Sequence, residues 1–74
     1  MAKVALRILL LSGKQLDVVY DEPGTPSAAD VGAHAAGLLG REDAVLWAEH
    51  GDRTVAVFAR GVAAVEVDPR GAVL

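Results

Sequence analysis

Ala44-Val-Leu-Trp-Ala-Glu-His50, then Gly51-Asp52, then Arg53-Thr-Val-Ala-Val-Phe-Ala59 is the stretch that decides the fold. Two runs rich in β-branched and aromatic residues flank a two-residue Gly-Asp turn, which is the sequence of a β-hairpin. A two-residue turn fixes the register. It sets Leu46 opposite Val57 and Ala48 opposite Val55 on one face. The other face receives Val45 opposite Phe58 and Trp47 opposite Ala56. Both faces are apolar, and one helix can cover only one of them. A second copy of the protein is the simplest cover for the other.

Working outward, Lys3 to Leu11 reads as a strand whose alternate positions Val4, Leu6, Ile8 and Leu10 are wholly apolar. Its opposite set, Ala5, Arg7, Leu9 and Leu11, is mixed, as expected of a strand inside a sheet. Ser12-Gly13-Lys14 is a turn, and Gln15 to Tyr20 is the returning strand, with Leu16, Val18 and Tyr20 on one face. Asp21 to Pro26 reads as a loop. Ser27 is the expected N-cap of a helix over Ala28 to Leu39, with Asp30 at the capping-box spacing and near the positive end of the helix dipole. Gly40 is the expected C′ stop. The apolar stripe is Ala28, Val31, Ala35, Leu38 and Leu39. Gly32 and Gly37 each cost about 1 kcal/mol relative to Ala. They mark either close approach to another backbone or drift at surface positions.

Beyond the second hairpin, Arg60-Gly61 reads as a turn or bulge. Val62 to Val67 reads as a strand with Ala63, Val65 and Val67 on one side and Glu66 on the other. Asp68-Pro-Arg-Gly71 has β-turn chemistry, and Ala72-Val-Leu74 pairs back as a stub or frays. The expectation is a single α+β domain over residues 1–74, in the order β-β-α-β-β-(β). Its sheet is mostly antiparallel, of four or five strands, with one helix on one face.

Composition bounds the rest. The chain has 74 residues and no cysteine, so no disulfide or thiolate site contributes. A chain this short reaches stability by tight packing and by oligomerisation. Its 14 Ala and 11 Val bury modest area each, so the packing is close but thin. The net charge is −3, and the basic residues are scattered, which disfavours nucleic-acid binding. Ile8-Leu-Leu-Leu11 is too short to span a bilayer, and no small-x-small cleavage site follows it. These features point to a cytoplasmic protein without membrane association.

Chemistry is sparse. No glycine-rich phosphate loop is present, and Ser12 and Ser27 have turn and cap roles. His34 lies four residues after Asp30 on one helical face, which reads as an exposed ion pair or, less economically, an acid–base or metal pair. His50 reads as an exposed hairpin end. Glu49 points away from it, so no metal site is assigned, and no cofactor or catalytic residue either. Trp47 and Phe58, with Val45 and Ala56 between them, carry more information. They fill the core under the helix, form an interface, or line a ligand pocket.

Gly51-Asp-Arg-Thr-Val-Ala-Val-Phe-Ala-Arg-Gly-Val-Ala-Ala-Val-Glu-Val67, with Gln15-Leu-Asp-Val-Val and the Ser27-Ala-Ala-Asp-Val helix start, resembles small uncharacterised actinobacterial proteins of β-β-α-β-β layout. That resemblance implies no particular activity and assigns no functional residue. The element order is also similar to the β-grasp, ubiquitin-like layout. The sequence ends Gly71-Ala-Val-Leu74 without a Gly-Gly tail, which argues against a conjugation or sulfur-carrier role. The functional expectation is a non-enzymatic module that forms a homodimer through a sheet face or edge. The alternative is a small-ligand-binding domain using Trp47 and Phe58.

Overall fold

The computed structural model describes residues 2–22, 24 and 27–67. The elements are β1 (Ala2–Leu10), β2 (Gln15–Glu22), α1 (Ala28–Leu39), β3 (Val45–His50), β4 (Arg53–Phe58), a 3₁₀ turn (Ala59–Gly61) and β5 (Val62–Val67). The fold is α+β: one helix and a five-stranded antiparallel sheet in the order β4-β3-β2-β1-β5. The expected turn at Asp68–Gly71 and the stub Ala72–Leu74 lie outside the described residues, as does most of the loop before the helix.

The second hairpin pairs as its turn dictates, with Val45↔Phe58, Leu46↔Val57, Trp47↔Ala56 and Ala48↔Val55. Gly51 has φ +63 and Asp52 does not enter the left-handed region, so glycine occupies the one position that needs it. The expected alternation of β1 is realised too. Val4, Leu6 and Ile8 are fully buried, joined by Val18, Leu46, Ala48 and Val57 from the other strands and by Val31 and Ala35 from α1. Ser27 caps the helix in an extended conformation, its hydroxyl accepting the Asp30 amide at 3.2 Å.

Three expectations need correcting. β2 runs two residues past Tyr20, because Asp21 and Glu22 pair with Lys3 and Ala2. Gly40 ends the helix in a right-handed conformation (φ −74), its amide reaching Ala36 and Gly37 carbonyls, so no left-handed C′ glycine is used. Arg60-Gly61 is a turn, as expected, in 3₁₀ form. Ala63 does not share a side with Val65 and Val67. The register shifts between Leu9↔Ala64 and Leu10↔Val62, so a bulge consumes Ala63 and puts Val62 on the side of Val65 and Val67.

The two glycines of α1 separate. A Cβ on Gly32 would meet Val67 Cγ1 at 2.5 Å, so the close approach is real but is to a side chain rather than a backbone. Gly37 faces open space.

The short connection between β4 and β5 shapes the whole sheet. These strands are the two edges, four inter-strand spacings apart, or about 19 Å across a flat sheet. The chain from Phe58 to Val62 reaches at most about 14 Å when fully extended. The sheet is therefore rolled. The Leu11 amide donates to the Gly61 carbonyl at 2.9 Å, which ties the connection to the far end of β1.

Candidate functional site

Rolling the sheet gives it an inner face under α1 and an outer face. Leu46 and Val57 point inward and are buried, so their neighbours Trp47 and Phe58 point outward. Trp47 is 65% exposed and Phe58 is 50% exposed. The reading that placed them in the core under the helix is thus excluded by the hairpin's own alternation. The four candidate residues do lie together. Val45 and Ala56 are half-buried between the two rings, and the Arg60 guanidinium sits 5.3 Å from the Phe58 ring centroid, in cation–π range.

The outer face is divided. Across β2, β1 and β5 it carries a charged row, Asp17, Arg7 and Glu66, in register. Arg7 Nε donates to Asp17 Oδ1 at 3.0 Å. Across β3 and β4 it is apolar from Val45 and Phe58 to Trp47 and Ala56, and turns polar at Glu49 and Thr54. Beside the β4 end of that patch lies an open groove of about 410 Å³, lined by Leu10, Leu11, Ser12, Leu16, Ala56, Val57, Phe58 and Gly61. Leu11, 68% exposed, was not singled out by the sequence reading. Its signal was present: it is the one leucine of Ile8-Leu-Leu-Leu11 that falls past the end of the strand.

The histidines find partners that sequence spacing did not indicate. His34 Nδ1 lies 2.5 Å from Glu22 Oε1, and the Tyr20 hydroxyl donates to Glu22 Oε2 at 3.2 Å. The carboxylate at the end of β2, rather than Asp30, is the chief partner of His34. Its hydrogen bond and charge raise the His34 pKa above the ordinary 6.5, with a smaller contribution from Asp30. The Tyr20 pKa is raised as well, first by burial and then by Glu22. This arrangement orients the imidazole and leaves Nε2 as the ring nitrogen available for proton exchange. His34 is exposed, so the pair links α1 to β2 without a large stabilisation.

The raised value sets the sign of the pH dependence. The pair contributes below the unfolded His value and is lost as pH rises through the folded one. An NMR titration of His34 is expected to give a midpoint above 6.5, which Glu22→Gln brings down toward the ordinary value. An unchanged midpoint in the variant counts against the contact.

His50 is exposed at the hairpin end, as expected, and also has a partner across the sheet. Its Nδ1 donates to the Asp17 carbonyl at 2.7 Å and so joins the two hairpins. The backbone ladder between β2 and β3 is short, pairing Val19 with Glu49, and the imidazole extends it by one bond. Among the described residues no group of three or more His, Cys, Asp or Glu is placed to hold a metal ion. Nor is any helix there long and apolar enough to cross a membrane.

The role of Glu22 escapes a reading by spacing because its partner His34 is on another element, and residue spacing records only local neighbours. The chain matches no protein-family model, no curated protein and no solved structure.

Proposed function

We propose that the protein is a non-enzymatic, self-associating interaction module of the cytoplasm, acting as an accessory subunit. The observation that carries this reading is the exposed pair Trp47 and Phe58 on the outer face, with Val45 and Ala56 between them. Two large rings left in water by so small a domain represent apolar surface awaiting cover. Aromatic residues beside an arginine are the composition that interface centres favour, and Arg60 lies against Phe58.

Sedimentation velocity over a concentration series tests it. The wild type is expected to sediment as a dimer in the micromolar range, and Trp47→Ala with Phe58→Ala to sediment as a monomer with its fold intact. A wild type that stays monomeric throughout removes the reading.

The groove beside Phe58 favours a second reading, a site for a small apolar ligand. It enlists Phe58 and Ala56 but not Trp47, which does not line it. Binding there is expected to shift Leu11 and Leu16 methyl resonances and leave the Trp47 indole signal in place.

A further inference from the structure

The two edges of the sheet are not alike. β5 carries a bulge at Ala63 and a charge at Glu66, both devices that discourage a further strand. β4 carries neither within Thr54-Val-Ala-Val-Phe58, and among the described residues no strand pairs with its outer side. Resting on the self-association proposed above, we infer that β4 is the dimer contact, pairing antiparallel with β4 of a second copy about a two-fold axis at Ala56.

The hydrogen-bond parity of the hairpin specifies that axis. The Ala59 amide donates to the Ala44 carbonyl at 3.0 Å. Antiparallel ladders alternate, so Val57, Val55 and Arg53 also bond toward β3. The amides and carbonyls of Thr54, Ala56 and Phe58 therefore point out of the sheet. An axis through Ala56 sets Ala56 against Ala56 and Thr54 against Phe58 of the second copy, which uses every one of those groups. Val55 then opposes Val57. No like charges meet in the ladder. Beyond the ends of the ladder stand Arg60, in the 3₁₀ turn, and Asp52, in the hairpin turn, which are opposite in sign. The groove lined by Ala56, Val57 and Phe58 borders this edge. Trp47 pairs with Ala56, so the two aromatic patches merge across the axis into one stripe.

The chain has no cysteine, so single cysteines report the register directly. Ala56→Cys places two thiols at the axis, within disulfide reach of about 5.5 Å between Cα atoms, whereas Thr54→Cys places them several residues apart. Under mild oxidation Ala56→Cys is expected to give a covalent dimer well ahead of Thr54→Cys; equal rates overturn the register.

Ala56→Pro supplies an independent measurement. It removes an amide that points away from β3, so the hairpin survives, and dimer affinity is expected to fall by at least about tenfold. A wild type that dimerises while Ala56→Pro dimerises as well, with no preference between the cysteines, overturns the edge contact and leaves self-association standing. A monomeric wild type overturns both. A monomer whose Thr54, Ala56 and Phe58 amides shift only with an added extended peptide overturns the second copy as occupant.

Discussion

Leu46→Ala is expected to lower the unfolding free energy by about 3 kcal/mol, while Trp47→Ala, one residue away, changes it by less than about 1 kcal/mol. Leu46 is fully buried among Val57, Val31 and the inward residues of β1, and truncation leaves a cavity that a thin Ala and Val core closes poorly. A domain of this size is expected to hold only roughly 4–11 kcal/mol in total, so the loss is a large fraction of it. Trp47 stands mostly in water and has little burial to lose. Urea denaturation of the two variants checks the contrast. The comparison is best made at a concentration where the wild type is monomeric, since dimerisation adds its own stabilisation. Equal losses at the two positions contradict the assignment of inner and outer faces.

The second large effect is a difference of sign between two glycines in one helix. Gly37→Ala is expected to stabilise by about 0.5–1 kcal/mol, because the site is open and only helix propensity changes. Gly32→Ala gains the same propensity but drives a Cβ into Val67. Val67 is β-branched and stiff, so β5 itself must shift, at an overpacking cost of about 1–3 kcal/mol. The net is a loss of about 1 kcal/mol, and the two variants separate by about 2 kcal/mol in thermal or chemical unfolding. Stabilisation by both substitutions would show that β5 yields freely at its Val67 end.

What the sequence revealed followed from local chemistry. The Gly51-Asp52 turn left one register for the second hairpin, and Ser27 with the Val31 and Ala35 spacing set the helix. What it withheld depends on distant residues. The bulge at Ala63 is invisible because Ala63 and Ala64 are alike in size and polarity, so no pattern says which one drops out of the alternation. The Glu22–His34 contact joins a strand end to the second turn of the helix across the loop between them. Asp30, the nearer carboxylate in sequence, is the lesser partner of His34. The candidate patch of Trp47, Phe58, Val45 and Ala56 was legible as a unit. Its exposure was not, because either face of the hairpin was apolar enough to meet the helix.

The three-residue link from β4 to β5 also orders events in time. β1 acquires its second neighbour only when Val62–Val67 arrives, and the pair Leu6 and Val67 spans most of the chain. Such distant pairings close late and slow the search for the native state. During synthesis the two hairpins and the helix emerge while one side of β1 is still bare. The nascent chain therefore passes through a stage with an open apolar strand, when capture by chaperones or misassociation with a neighbour competes with completion of the roll.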